Sequence, residues 1–174
     1  MRLTSKGRYA FRAMLDLTFY SEGRPVRLQE ISTRQNISLH YLEQLFRKLR
    51  TGRVVKSVRG PGGGYVLSRD MNEITVKDIL ESVGENINPA RDILGSELAG
   101  AGDTVEFNVS KGYFQKLGNM MQDYLHNTSL GMLRRDWQAQ NPNFIPNPVR
   151  PAPVVTPEQS YASVIRPPMG EINQ

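Results

Sequence analysis

Apolar residues recur at steps of three and four through most of the first fifty positions. Over residues 4–20, Tyr9, Phe11, Met14, Leu15, Leu17, Thr18 and Phe19 form a broad apolar side, and Thr4 stands where a helix cap belongs. "EGRP" ends that helix, and "VRL" is a short extended link. "LQEISTRQ" then reads as a short helix with Leu28 and Ile31 inward. Asn36 and Ile37 make a turn, after which Ser38 caps "SLHYLEQLFRKLR", where Leu39, Leu42, Leu45, Phe46 and Leu49 keep helical spacing. Gly52 stops this helix. The period then changes to that of strands in "RVVKSV" and "GYVLS", separated by "RGPGG".

Further along, Thr75 and Asp78 form a capping box for a helix reaching about Val83. Residues 86–108 show no clean period and hold three glycines, which predicts a long loop of the kind that is usually functional or mobile. A long helix is predicted from Ser110, with Tyr113, Phe114, Leu117, Met120, Met121, Tyr124 and Leu125 as a near-continuous apolar stripe. Thr128 caps one more short helix, to about Trp137. Residues 141–174 hold 8 of the 11 prolines without a sustained pattern, and read as a disordered tail.

The predicted fold class is therefore mainly α with a small β-hairpin (α+β). Two short helices joined by a tight turn and followed by a hairpin make a winged helix-turn-helix, with a long C-terminal helix after it. The expected division is 1–84 for the winged domain, 85–109 for the loop, 110–137 for the long helix and its short successor, and 138–174 for the tail.

Charge sharpens the picture. Residues 1–70 carry 14 basic and 5 acidic side chains, a net of +9, whereas residues 71–140 carry 6 and 10, a net of −4. A basic front half suits a polyanion-binding module, although an unevenly charged solvated surface gives the same sum. The chain has no cysteine, which excludes disulfides and thiolate metal sites. No apolar run approaches the roughly 20 residues of a membrane span. The N-terminal segment lacks the apolar block of a signal peptide, so a cytoplasmic location is expected. No nucleophile–base pair, metal-ligand cluster or nucleotide fingerprint points to an enzyme.

"GPGGG" could belong to a phosphate-cradling nucleotide loop, but no Lys-Ser or Lys-Thr pair follows and the next element is a strand. As a wing tip it makes better sense. Arg59 precedes a tip with almost no side-chain bulk, so a guanidinium can enter a narrow minor groove. Pro61 stiffens that tip, while Gly62–Gly64 allow close backbone approach and amide contacts to phosphate, and Gly60, Pro61, Gly62 and Gly63 are candidate DNA contacts. In the second helix of a helix-turn-helix, the N-terminal residues face base edges. Here these are Ser38, His40, Tyr41, Glu43 and Gln44. Glutamine can pair with adenine and glutamate can accept from cytosine. Arg47, Lys48, Arg50 and Arg53 lie further along and suit phosphate, or form a solvated basic face. Arg2, Ser5, Lys6 and Tyr9 are candidates for backbone contact from the first helix.

"MRLTSKGRYA", "ISLHYLEQLFRKLR" and "SVRGPGGGY", in this order and spacing, resemble the IscR (iron–sulfur cluster regulator) family of bacterial winged-helix transcription repressors. The likeness runs from Met1 to about Arg91 and resumes at about 110–130. It implies a homodimer on double-stranded DNA, with the long helix crossing its mate through the Tyr113–Leu125 stripe. A core-facing helix is the other reading of that stripe. The resemblance also implies base contacts from His40, Glu43 and Gln44, and minor-groove insertion of Arg59. Position 40 varies within the family.

The family's two-iron two-sulfur cluster is held by three cysteines and a histidine. The matching positions here hold Asp92, Leu98, Thr104 and Phe107, and the first-helix positions that some relatives lend as ligands hold Arg8 and Arg12. Such clusters rest on thiolates, with two histidines at most replacing them, and the only histidines are His40 and His126. No cofactor is therefore expected. Asp92, Glu97, Asp103 and Glu106 make either a hard-cation site or a solvated acidic loop. The expected function is a sequence-specific transcription regulator, a repressor resembling the cluster-free form of the family. The alternative is a sensor whose 86–108 loop binds some other effector.

Overall fold

The protein is described by a computed structural model covering residues 3–21, 23–87 and 104–146. Helix α1 (Ser5–Tyr20) is the hub, because α2 (Leu28–Gln35), α3 (Leu39–Thr51), the helix at Val76–Ser82 and the last helix, Leu130–Gln140, all pack on it. Ala10, Ala13, Met14 and Leu17 of α1 are fully buried with Ile31, Leu42, Phe46 and Leu49. The two alanines let the helices of the turn motif approach closely. Asn36 ends α2 in the left-handed region (φ 52), a conformation asparagine tolerates. Ser38 then caps α3 by accepting from the Tyr41 N–H at 3.3 Å.

The hairpin is shorter than its sequence suggests. Strands β1 (Val55–Val58) and β2 (Gly64–Leu67) pair antiparallel, Val55 opposite Leu67 and Val58 opposite Gly64. Arg53 lies outside the strand because its φ of 58 is left-handed. The extended link before α2 joins the sheet through Val26, which exchanges two backbone hydrogen bonds with Tyr65 (2.9 and 2.8 Å). Gly64 faces this third segment so closely that a Cβ there would strike the Val26 carbonyl.

After the hairpin, α4 (Val76–Ser82) starts with the expected capping box. Thr75 accepts from the Asp78 N–H (3.1 Å), and the Asp78 carboxylate accepts from the Thr75 N–H (3.0 Å). Arg69 ties the hairpin's base to this cap through Asp78 at 2.6 Å, and donates to the Arg53 carbonyl at 2.9 Å.

The long helix α5 spans Val105–Asn127 and starts five residues before the expected Ser110. Thr104 supplies the cap by accepting from the Phe107 N–H at 3.2 Å. The final helix, α6 (Leu130–Gln140), is capped by Ser129 rather than Thr128, whose hydroxyl instead donates to the Tyr124 carbonyl at 2.6 Å. Helix α6 returns to α1, where Arg134 donates to the Thr18 carbonyl at 3.1 Å. The expected tail beyond Pro146 and most of the loop, residues 88–103, lie outside the described residues.

Candidate nucleic-acid interface

Helix α3 divides cleanly. Leu42, Leu45, Phe46 and Leu49 are buried, which turns His40, Glu43, Gln44, Arg47, Lys48 and Arg50 outward. The outward residues already touch one another: His40 Nε2 lies 2.9 Å from Gln44 Nε2, and His40 Nδ1 lies 3.9 Å from the Glu43 carboxylate. These three side chains form one polar patch at the start of the helix, with donors and acceptors side by side. That is the placement a major-groove reader needs.

Tyr41 differs from its neighbours. It is half-buried, packs against the core, and meets Tyr9 edge-on with ring centroids 5.9 Å apart. Ser5, Tyr9, Ser38 and Tyr41 line one cleft of about 350 Å³ where α1 and the turn motif meet. Asn36 and Ile37 complete its wall; sequence reasoning assigned them only to a turn.

At the wing, Arg59, Gly60, Pro61 and Gly62 are exposed and Gly63 is half-buried. Gly60 (φ 101) and Gly62 (φ 79) both occupy backbone space that a Cβ would strain, and the Gly63 N–H closes the turn onto the Gly60 carbonyl at 2.9 Å. The glycines therefore set the tip's shape as well as its slimness. Arg53, exposed at the end of α3, has its carbonyl fixed by Arg69. Arg2 lies outside the described residues.

Lys6 is drawn toward the other side of α1. Its amine is 3.5 Å from the Gly84 carbonyl and 4.0 Å from Glu85. Glu85, which sequence reasoning missed, is buried against the first turn of α1 and accepts from the backbone N–H groups of Thr4 (3.3 Å) and Gly7 (3.1 Å) and from the Thr4 hydroxyl. Burial alone would raise this carboxyl. The Thr4 hydrogen bonds, with Lys6 and the Gly7 amide, outweigh that and hold it below the ordinary glutamate range. Its share of the stability is whole above the unfolded-state pKa and is lost as pH falls through the lower folded value.

Asp16 and Arg34 were likewise passed over, although an aspartate on the apolar side of α1 was a readable signal. The carboxylate accepts from Arg34 at 2.7 and 2.9 Å and from Gln35 at 2.8 Å, and the guanidinium stacks 4.5 Å over the Tyr20 ring. Burial would lower the Arg34 pKa, but the hydrogen bonds and charge of Asp16, with the Glu30 carboxylate 3.6 Å away, hold it above the ordinary value. This pair joins α1 to the first helix of the turn motif.

The stripe on α5 is largely uncovered. Tyr113 is 65% exposed, Met120 61% and Tyr124 70%, with Val105 and Val109 extending the row. Leu117, Met120, Met121, Tyr124 and Leu125 line an apolar groove of about 260 Å³. Phe114 is half-buried and meets Tyr113 edge-on. Leu125 is shared, because it also packs on the small cluster of Val76, Leu80 and Ile87 within its own chain.

Among the described residues there is no group of three His, Cys, Asp or Glu side chains placed to hold a metal, and no helix long and apolar enough to cross a membrane. With no cysteine in the whole chain, its residues do not fit a thiolate-held iron–sulfur cluster.

The chain and its fold are similar to those of known proteins. The profile of a family described as "Rrf2: Iron-dependent Transcriptional regulator" matches residues 3–136. The HTH-type transcriptional regulator IscR of Pectobacterium atrosepticum is 44% identical over 141 residues, covering 81% of this chain and 84% of that protein. IscR of Escherichia coli O1:K1 is 45% identical over 133 residues, covering 76% and 80%. Among solved structures, CymR, the global cysteine regulator of B. subtilis, superposes with a TM-score of 0.66 at 29% identity, over 78% of this chain and 98% of that one. T. potens IscR superposes with a TM-score of 0.64 at 32% identity, over 81% and 91%.

Proposed function

Since the chain belongs to the Rrf2 family of transcriptional regulators, we propose that it represses transcription as a cytoplasmic homodimer on a two-fold symmetric DNA site, without a thiolate-held cluster. Its standing as a DNA-binding transcription regulator rests on the family. The observation that carries the finer reading is the pairing of one polar patch, His40–Glu43–Gln44, with a wing tip whose only bulky side chains are Arg59 and Pro61. The first suits base edges in a major groove, and the second suits the narrow groove beside it. Freedom from a cluster is supported by the donor set, which contains no thiolate.

Selection of bound duplexes from a random pool tests this reading, with the visible absorption of anaerobically purified protein recorded alongside. A colourless protein that enriches a symmetric motif at about 150 mM salt is the expected result. Enrichment of nothing, or a coloured protein, overturns the corresponding half of the proposal.

Two substitutions separate the two kinds of contact. Arg59→Ala is expected to weaken binding by about 1–2 kcal/mol, mainly at sites with narrow A·T-rich minor grooves. Glu43→Ala is expected to narrow the gap between preferred and non-preferred bases by about 1–3 kcal/mol, because it removes an acceptor together with a repulsive filter. Affinities on a panel of single-base operator variants read both. Equal weakening across the panel by both variants would refute this division of roles.

A further inference from the structure

Helix α1 begins without help from its own cap residue. Thr4 has the extended backbone of a cap (φ −71, ψ 168), yet its side chain makes no capping hydrogen bond to the helix. The Glu85 carboxylate takes that place from 81 residues away, accepting from the N–H of the cap residue and from the N–H of Gly7 in the first turn. The fit admits nothing else. A Cβ on Gly7 would come within 2.8 Å of Glu85 Cγ, and the Glu85 side chain is only 3% exposed.

Glu85 is itself held from the other side. Gly84 ends α4 in a left-handed turn (φ 76), and the Glu85 N–H donates to the Leu80 carbonyl at 2.9 Å. Two residues later Ile87 is buried against Val76 and Leu80. Segment 85–87 therefore lies between the end of α4 and the stretch leading to α5, and its one buried carboxylate grips the turn that carries Ser5, Lys6 and Tyr9.

We propose that Glu85 is a positioning residue for DNA binding: it fixes the first turn of α1 against the phosphate backbone, so that movement of segment 85–87 changes DNA affinity without altering base choice. This rests on the reading of the chain as a DNA-binding regulator and deepens it by naming where the region after the winged domain acts on the interface. Base choice is spared because the polar patch on α3 is set by Ser38 and by the buried face of that helix, and touches neither Glu85 nor Thr4.

The sign of the effect distinguishes positioning from simple electrostatics. Glu85→Gln removes a negative charge close to a polyanion and releases Lys6 from its anionic partner. By charge alone that tightens DNA binding. A loss of positioning weakens it. The experiment measures operator and single-base-variant affinities of full-length protein, with the unsubstituted chain beside Glu85→Gln, across a salt series and well below each protein's melting temperature.

The expected result is binding weakened about five- to tenfold on every duplex alike, with a salt slope smaller by about one for each phosphate that is no longer neutralised. Thr4→Val keeps the shape and removes only the hydroxyl donor, so it should give about a two- to threefold loss of the same uniform kind. It serves in place of Glu85→Gln if that variant does not fold. Unchanged or tighter binding by the folded variants overturns the proposal, as does a change in base preference. A failure of the underlying reading shows separately, as an unsubstituted protein that prefers no sequence.

Discussion

Asp16→Ala is expected to lower the unfolding free energy by about 3–5 kcal/mol, since it removes the carboxylate that accepts the short hydrogen bonds of a buried guanidinium. The Arg34 side chain is 6% exposed and that of Asp16 is fully buried, so water cannot substitute for the missing carboxylate. Gln35 loses its acceptor in the same step. Urea denaturation followed by helical circular dichroism measures the change. A double variant, Asp16→Leu with Arg34→Met, should recover most of the loss, because a buried ion pair is worth little against apolar residues of similar volume. A loss below about 1 kcal/mol in the single variant would show that the pair is solvated in solution and does not hold α2. The pair also bears on the proposed function. It fixes the first helix of the turn motif on α1, so weakened stability should come with weaker operator binding.

The second large effect is expected at Met120. Replacing it with glutamate places a charge in the middle of the α5 stripe, where the proposed partner helix would lie. Dissociation to a folded monomer should follow, because Met120 is 61% exposed in one subunit and belongs to neither buried cluster. Operator affinity should then fall by about 10²–10⁴, the advantage that linking two half-site readers confers. Sedimentation equilibrium with operator titration on the same samples reads both quantities. A variant that stays dimeric would place the subunit contact elsewhere, and an unsubstituted protein that is already monomeric would remove the stripe's assigned role.

How much of this was readable from the sequence depended on how far apart the interacting residues lie. Helix α3 was legible because Leu42, Leu45, Phe46 and Leu49 repeat at its own period and Ser38 stands three residues before the N–H it caps. The capping box of α4 is equally local, and the wing glycines advertise a turn whatever surrounds them. The start of α5 was hidden because Val105 and Val109 face outward and give no inward rhythm. The last cap was misplaced by one residue because Thr128 and Ser129 both carry the right chemistry; the backbone bridge from Thr75 to Ser129 decides between them. What Glu85 and Asp16 bind lay beyond reach for another reason. Their partners are 81 and 18 residues away, and nothing in either local pattern says which helix end or which cation they meet.

The return of α6 to α1 has a consequence for the order of events during synthesis. Arg134 binds the Thr18 carbonyl across 116 residues, and the Gly131 and Leu130 amides close onto Met71 and Ile74. The turn motif leaves the ribosome early, but the helix on which it is mounted gains its last partner only when residues 130–140 have emerged. Contacts that distant in sequence form late in folding. A nascent chain therefore carries the residues proposed to read DNA before it has the frame to hold them, and operator binding is expected only after the final helix is made.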